Sequence, residues 1–181
     1  THEKFSLPQL EEFIDMKGDS VSVGKYFTEM LDPAMTWDDV ARMVEFWDGQ
    51  FCLKGVMSVE DARKAAEIGC TGIVVSNHGG RQLDGSRSPF DQLGEIVDAV
   101  GDRLDVIMDS GIQRGTHILK ALSMGAKAVG GGRFYLYALA AAGQGGVERA
   151  LELMKLEIER DMRLMGVTRL SDLNRDNLRF R

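Results

Sequence analysis

The sequence predicts an α/β protein with a parallel sheet, and three features of the chain indicate this fold class. From Phe51 onward, short apolar runs alternate with helical segments in four successive units. The runs, such as GIVV at 72–75, are apolar throughout, as strands are when helices cover a parallel sheet. Each run then ends in polar or glycine residues, which are Lys54-Gly55, Ser76-Asn77-His78, Asp109-Ser110-Gly111 and Gly132-Arg133.

Two architectures produce this alternation, a doubly wound open sheet and a (β/α)8 barrel. An open sheet concentrates its site at the point where the strand order reverses, whereas a barrel collects side chains from the ends of successive strands. Four consecutive strands with polar ends therefore favour the barrel. Because four strands cannot close an eight-stranded barrel, we expect the chain to form about half of one. Its first residue, Thr1 rather than methionine, agrees with a partial chain.

The helices of these units carry recognisable start and stop signals. In the first unit Ser58 is a predicted N-cap, with Asp61 three residues later and Gly69 at the end. The second helix is predicted over PFDQLGEIVDAV and the third over GTHILKALSM, each followed by glycine. The last unit contains FYLYALAAAG, and a long amphipathic helix is predicted after it.

The region before Phe51 differs from the rest of the chain. Residues 1–35 are polar and contain no convincing strand. The segment TWDDVARMVEFW is predicted to be a helix with Thr36 and Asp39 as a capping box. Its apolar face is predicted to contain Val40, Met43, Val44 and Trp47. We therefore divide a single partial domain, 1–181, into a first region over 1–35 and the βα units with their C-terminal helices over 36–181.

Composition narrows the class of protein. The chain has 181 residues, 44% hydrophobic and 28% charged, as in one ordinary globular domain. A net charge of −6 without a basic stripe argues against nucleic acid as a partner. The most apolar stretch, 134–143, is shorter than the ~20 residues that span a bilayer. Cys52 and Cys70 lack metal-ligand spacing, so no metal site is predicted; they indicate buried, reduced thiols and a reducing compartment.

Two glycine-rich loops near the end of the chain indicate a phosphate site. DSGIQRG at 109–115 and GGGRF at 130–134 each lead into a predicted helix. Backbone N–H groups at helix starts bind phosphate, and barrels often use the loops after their last two strands. Either loop alone is explained by a simple turn, but both in consecutive units predict a phosphate-bearing cofactor. The chain contains neither GxGxxG nor a Walker motif.

The other strand ends carry groups suited to acid–base and anion chemistry. Lys54 interrupts an apolar run, where it needs an anionic partner or a path to the rim. In SNHGGRQLDG, His78 can accept a proton near neutral pH and Arg81 can hold a carboxylate with two parallel bonds. Asp84 and Asp109 are carboxylates that could orient this histidine or hold a hydroxyl. No role is predicted for His2 or His117.

These segments resemble a known family. LKGV, SNHGGRQLDG, DSGIQRGTHILKALSMGAKAVGGGR and LYALAAAGQGGVE are similar to the FMN-dependent L-2-hydroxy acid oxidases and dehydrogenases. EFWDG, DSGI and LYALAAAGQ resemble the bacterial FMN-linked L-lactate dehydrogenases most. The resemblance runs from about Asp32 to the end, and SNHGGRQLD is its most specific part. It implies a TIM barrel in which these are strands five to eight, preceded over 1–35 by a mobile stretch and helix.

The resemblance also implies roles for individual residues. His78 would be the general base, and Arg81 would bind the substrate carboxylate. Lys54 would lie beside flavin N1 and the C2 carbonyl, with Ser76 also on the flavin. The ribityl–phosphate chain would be held by the remaining site residues, which are Asp109, Ser110, Gly111, Gln113, Gly132 and Arg133.

The chain departs from the family pattern at two positions of this site. The family usually has an arginine at Gln113, with its charge on the phosphate, and a proline or small residue at Phe134. Arg114 or Arg133 could supply the charge that Gln113 lacks. The first departure therefore bears on the affinity for FMN.

The reaction implied is the FMN-dependent oxidation of an L-2-hydroxy acid, best matched by L-lactate, to the 2-oxo acid. Electrons would pass to a quinone, oxygen or a cytochrome, and we expect a homo-oligomer once the barrel is complete. A quinone acceptor would place the protein in the cytoplasm, peripherally at the inner face of the cytoplasmic membrane. Two alternatives remain, another FMN barrel such as isopentenyl diphosphate isomerase and a non-catalytic half-barrel. The His78–Arg81 pair argues against the isomerase.

Overall fold

The computed structural model describes residues 30–180. Most of the first region, residues 1–29, and with it His2, lies outside the described residues, so the mobile stretch expected there stays a prediction. The chain separates into two compact units, Thr1–Val40 and Ala41–Arg181. The boundary falls inside the first described helix, α1 (Trp37–Trp47).

The start of α1 has the predicted capping box. The Thr36 N–H and hydroxyl both donate to Asp39 Oδ2 at 2.7 Å, and the Asp39 N–H lies 3.4 Å from Thr36 Oγ1. In the second unit the helix differs from the prediction, because Met43 and Trp47 are exposed rather than part of an apolar face. Of the predicted face in this unit, Val44 is the partly buried member and lies beside Gly69. In the part of α1 that belongs to the second unit, the buried face is therefore narrower than the helical periodicity predicts.

Four parallel strands form one sheet in the second unit. They are β1 (Cys52–Val56), β2 (Gly72–Val75), β3 (Asp105–Met108) and β4 (Ala128–Val129). Each strand pairs with the next one along the chain, in the order β1-β2-β3-β4. The strand order does not reverse here, whereas the order of a doubly wound sheet reverses at its switch point. This arrangement is the one expected of successive units in a barrel.

Helices follow the strands in turn, which confirms the predicted alternation. They are α2 (Val59–Glu67), α3 (Pro89–Val100), α4 (Gly115–Met124) and α5 (Arg133–Met165). Ser58 caps α2 by accepting the Asp61 N–H at 3.0 Å, as predicted. The helix α5 is bent at Ala142–Gly143, at the end of FYLYALAAAG, and its remainder is the long amphipathic helix predicted after that stretch. No helix within 30–180 is long and apolar enough to cross a membrane.

One face of the sheet packs under the helices and the other stays more open. Ile73, Val75 and Val106 are fully or almost fully buried, together with Leu93, Ile96 and Val100 of α3. On the opposite face, Lys54, Val74, Ile107 and Ala128 lie side by side in register and are partly or largely exposed. The core thus lies between strands and helices, while Lys54 stands on the open face. Cys70 is buried as predicted, but Cys52, at the exposed start of β1, is not; both are free thiols.

Candidate active site

The carboxyl ends of the four strands meet around one cavity of about 310 Å³. Parallel strands in consecutive order bring their ends to the same edge of the sheet, so each following loop reaches this space. Nine of the ten predicted site residues line it, namely Lys54, His78, Arg81, Asp109, Ser110, Gly111, Gln113, Gly132 and Arg133. The tenth, Ser76, is 1% exposed and bonds directly to two of these residues. The structure therefore brings the predicted set together.

Lys54 has the anionic partner that its position requires. Its Nζ lies 3.3 Å from Asp109 Oδ2 and donates to Ser76 Oγ at 3.1 Å. The other Asp109 oxygen accepts the Ser110 hydroxyl at 2.9 Å, so both carboxylate oxygens are engaged. The Lys54 side chain is still 48% exposed. These contacts fix a positive charge at the end of β1 while leaving it accessible from the cavity.

The loop after β2 holds His78 in an uncommon conformation. His78 has φ 56°, a left-handed value that side chains other than glycine rarely adopt. Its N–H donates to the buried Ser76 Oγ at 3.1 Å, and the next N–H, of Gly79, donates to Ser110 Oγ at 3.0 Å. The Arg133 guanidinium donates to the Gly79 carbonyl at 2.5 Å. Contacts from the ends of three strands thus stabilise a strained turn, as is typical of functional sites.

Gly55 provides the space for the imidazole. A Cβ on Gly55 would lie 2.9 Å from His78 Cε1, closer than such atoms approach one another. Gly55 also has φ 97° and lies at the register shift between Lys54 and Val56. The absence of a side chain here lets the histidine ring lie against the end of β1, the strand that carries Lys54.

Neither carboxylate considered as a partner of His78 bonds to its ring. Asp84 accepts the N–H of its neighbour Gly85 at 3.0 Å and belongs to an exposed turn. Asp109 is engaged by Lys54 and Ser110. Within residues 30–180 the His78 ring and the Arg81 guanidinium both face the cavity without a hydrogen bond to protein. Both groups are therefore free to bind a small molecule there.

The loops after β3 and β4 expose backbone at the starts of α4 and α5. Ser110 and Gly111 have φ of 73° and 80°. A Cβ built on Gly111 or Gly132 would meet nothing within 4 Å, so open space lies in front of both residues. Arg133 adds a cationic side chain at the same place. This combination of open backbone, helix starts and a guanidinium fits a phosphate group.

His117 has a role in this loop that the sequence analysis missed. Its Nδ1 lies 3.1 Å from the Gly111 carbonyl oxygen and 3.3 Å from the Gln113 nitrogen. The ring therefore braces the glycine loop from the first turn of α4. The one signal in the sequence was its position, at the third residue of the helix that follows the loop.

Arg114 turns away from the cavity. Its guanidinium binds Glu157 of α5, whose other carboxylate oxygen accepts the Gly115 N–H at 2.7 Å. Hydrogen bonds from Arg114, and next from the Gly115 backbone, lower the pKa of Glu157. Arg114 is thus committed to the junction of α4 and α5. Of the two arginines that could replace the missing charge at Gln113, Arg133 lines the cavity and Arg114 does not.

Comparison with known proteins identifies the family of this chain. The profile of the FMN-dependent dehydrogenase family matches residues 3–180. The chain is 44% identical over 165 residues to "L-lactate dehydrogenase (cytochrome)" of Saccharomyces cerevisiae, which covers 88% of this chain and 28% of that protein. It is 46% identical over 149 residues to "L-lactate oxidase" of Nostoc sp., and this match covers 82% of this chain and 41% of that protein. The chain therefore spans well under half the length of these curated relatives.

Solved structures give the same relationship. A flavocytochrome b2 variant superposes with a TM-score of 0.79 at 44% identity, over 88% of this chain and 43% of that one. Mandelate oxidase with benzoyl-formic acid superposes with a TM-score of 0.74 at 46% identity, over 78% of this chain and 42% of that one. The four parallel strands are thus the C-terminal half of a TIM barrel. The strand ends predicted half a barrel, and the family resemblance implied which half. With its family profile matched over nearly the whole length, the chain belongs to the FMN-dependent dehydrogenase family.

Proposed function

We propose that this chain supplies the catalytic base, the carboxylate-binding arginine and much of the FMN site of an enzyme that oxidises L-lactate, or a related L-2-hydroxy acid, to the 2-oxo acid. The observation that carries the proposal is the convergence of His78, Arg81 and Lys54 on one cavity that also contains an open glycine cradle. The names of the relatives, which include an L-lactate dehydrogenase and an L-lactate oxidase, support lactate as substrate.

Different residues of the cavity would bind different parts of the cofactor. Gly111, Gln113, Gly132 and Arg133 would hold the phosphate, and Asp109 with Ser110 would hold the ribityl hydroxyls. Lys54, fixed by Ser76 and Asp109, would place its charge beside the ring system. When bound, FMN supplies the two-electron acceptor that this chain's own side chains do not contain.

Arg81 and His78 would act on the substrate. Arg81 would bind the carboxylate with two parallel N–H bonds, which fixes the adjacent carbon atom relative to the imidazole. Oxidation of the hydroxy acid releases two electrons and two protons, and His78 would accept a proton at a ring nitrogen. The hydrogen bonds that hold the backbone N–H groups of His78 and Gly79 would keep the ring close to the bound acid.

The acceptor and the location complete the proposal. We propose that electrons leave to a quinone or to oxygen, and that the quinone pairing places the protein in the cytoplasm, at the inner face of the membrane. The related proteins support more than one acceptor, since one is named for a cytochrome and another is an oxidase. We further expect the complete barrel to form a homo-oligomer.

The test uses the complete barrel, that is, this chain together with the strands that close it. The protein is loaded with FMN and mixed anaerobically with L-lactate or D-lactate while the flavin absorbance is followed. We expect bleaching with L-lactate and none with D-lactate. Re-addition of oxygen or of a soluble quinone then identifies the acceptor by the faster return of absorbance. Failure of every L-2-hydroxy acid to bleach the bound flavin would overturn the proposal.

A further inference from the structure

Two stretches of left-handed backbone meet at the edge of the active-site cavity. In the turn after β2, His78, Gly79 and Gly80 have φ values of 56°, 72° and 72°. In the loop after β3, Ser110 and Gly111 have φ values of 73° and 80°. Glycine adopts such values with little steric cost, so it would fit the backbone at 110 with less strain than serine. The strain at Ser110 therefore points to a contribution from its side chain.

The Ser110 hydroxyl joins the two stretches. It accepts the Gly79 N–H at 3.0 Å and donates to Asp109 Oδ1 at 2.9 Å. A hydroxyl has one hydrogen and two lone pairs, so Ser110 gives its only donor to Asp109 and keeps one lone pair for a ligand. Asp109 Oδ2 in turn lies 3.3 Å from Lys54 Nζ. One side chain thereby attaches the turn after β2 to the end of β3 and to the lysine of β1.

The position of the His78 imidazole depends on this attachment. In the described part of the chain, the ring has no hydrogen bond to protein, so the backbone turn and the space beside Gly55 determine where it lies. The N–H groups of His78 and Gly79 are both held by serine hydroxyls, the first by Ser76 and the second by Ser110. Ser76 lies only two residues before His78, whereas Ser110 follows a different strand. Ser110 therefore fixes the turn relative to the neighbouring strand.

We propose that Ser110 is a positioning residue, whose hydroxyl fixes the turn after β2 so that the His78 imidazole stays within reach of the substrate. This role rests on the proposed function, in which His78 is the base. Arg133 also donates to Gly79, but the proposed function shares its guanidinium with the FMN phosphate, whereas both bonds of the Ser110 hydroxyl are to protein. A displacement of about 1 Å can slow a reaction roughly 100-fold, so a loosened turn should change the rate.

The test uses Ser110→Gly in the complete, FMN-loaded barrel. Glycine removes the hydroxyl and suits the left-handed backbone, while Ser110→Ala removes the same hydroxyl and keeps the strain. We expect both variants to slow flavin reduction at saturating L-lactate about 10–100-fold. The dissociation constant of FMN should change less than about tenfold, because Ser110 offers FMN one neutral hydrogen bond at most. Stopped-flow absorbance measures the rate, and flavin fluorescence measures the binding.

Ser88→Gly is the matched control for this experiment. Ser88 is an exposed serine in the loop that carries His78, and its side chain makes no capping hydrogen bond to α3. The change from serine to glycine is therefore the same, but no contact with the turn is lost. The reduction rate and the FMN affinity of Ser88→Gly should both equal those of the unaltered protein.

Amide hydrogen exchange over residues 76–82 reports on the turn itself. It is measured by mass spectrometry on the FMN-loaded protein without substrate. Loss of the acceptor for the Gly79 N–H should speed exchange there about 2–10-fold in Ser110→Gly and leave it unchanged in Ser88→Gly. A reduction rate in Ser110→Gly equal to that of the unaltered protein would overturn the proposal. So would a slower rate with unchanged exchange, since Ser110 would then act by direct contact with the flavin. Failure of the proposed function is distinguishable, because it alone abolishes reduction of the unaltered protein.

Discussion

The active-site cavity and the junction between α4 and α5 both carry arginine and carboxylate side chains, but the two regions use them differently. In the junction, Arg114 and Arg160 bind Glu157, and Arg160 also binds Asp161. In the cavity, Arg81 faces open space with no ion pair in the part of the chain from 30 to 180. The junction thus satisfies its charges within the protein, while the cavity leaves a charge for a ligand.

The backbone shows the same contrast. Ser110 and His78, beside the cavity, have positive φ values that cost conformational energy. In the junction, by contrast, Arg114 has ordinary extended backbone just before α4, Glu157 lies within α5, and the Glu157 carboxylate stabilises the start of α4 through the Gly115 N–H. Changes in the cavity should therefore affect ligand binding and chemistry, whereas changes in the junction should affect stability.

The largest effect is expected for His78→Ala in the complete barrel. Loss of the base should slow flavin reduction by L-lactate roughly 10²–10⁴-fold, because proton transfer to a positioned side chain contributes about this factor. FMN affinity should stay the same, since the imidazole acts on the substrate. Stopped-flow absorbance measures the first quantity and FMN titration the second. Asp84→Asn, in the same loop but bonded to its own turn, is the matched control; bleaching at the unaltered rate in His78→Ala would exclude His78 as the base.

A smaller effect is expected for Arg81→Lys. A lysine keeps the charge but loses the two parallel bonds to a carboxylate, so the dissociation constant for the hydroxy acid should rise roughly 10–100-fold. Arg87→Lys serves as the control, because Arg87 is an exposed arginine of the same loop that pairs with Glu95 at 3.6 Å. Spectral titration of the FMN-loaded protein with a non-reacting carboxylate measures this binding. An unchanged constant in Arg81→Lys would remove Arg81 from the carboxylate site.

Gln113→Arg, together with Arg114→Ala, tests whether the FMN phosphate is bound by the cavity lining or by the junction. Charge-assisted bonds contribute roughly 1.5–3 kcal/mol against about 1 kcal/mol for neutral ones. An arginine at the cavity lining should therefore tighten FMN binding about tenfold. Arg114→Ala should leave FMN affinity unchanged, because Arg114 already binds Glu157. If Arg114→Ala weakened FMN binding instead, the junction would contribute to the phosphate site after all.

The convergence of the site could be predicted from the sequence because it depends on local patterns. Apolar runs define the strands, and parallel strands in consecutive order bring their ends together whatever the details of packing. The positions of Lys54, His78 and Arg133 at one cavity follow from that rule alone. The separation of FYLYALAAAG from the long amphipathic helix, which falls at the bend of α5, was equally local, since glycine interrupts a helical pattern.

Other features depended on contacts that the sequence does not display. Arg114 and Glu157 are 43 residues apart, and only the packing of α4 on α5 brings them together. This pairing decides that Arg114 leaves the cavity. His117 braces the loop through a ring nitrogen whose direction depends on the first turn of α4. The exposure of Met43 and Trp47 also depended on tertiary packing, because helical periodicity identifies an apolar face without showing what covers it.

The smallest effect is expected for Glu157→Gln, in the junction. The folded-state pKa of Glu157 lies below its ordinary value of 4.5, first because of the hydrogen bond from Arg114 and then because of the Gly115 backbone. A lowered pKa means that the ionised group stabilises the fold at neutral pH and that this contribution disappears as the pH falls through the folded-state pKa.

At pH 7, Glu157→Gln should therefore lower the Tm of the complete barrel by about 2–4 °C. The difference between the two proteins should shrink as the pH falls below about 4.5, because the Glu157 carboxylate then binds a proton in the unfolded chain before it does so in the folded protein. Glu159→Gln is the control, because Glu159 is 43% exposed and its nearest cations lie 3.9 Å away, so its Tm should hardly change. Thermal unfolding followed by circular dichroism across this pH range measures both variants, and a Tm difference for Glu157→Gln that persisted undiminished at pH 3 would assign its effect to packing instead of charge.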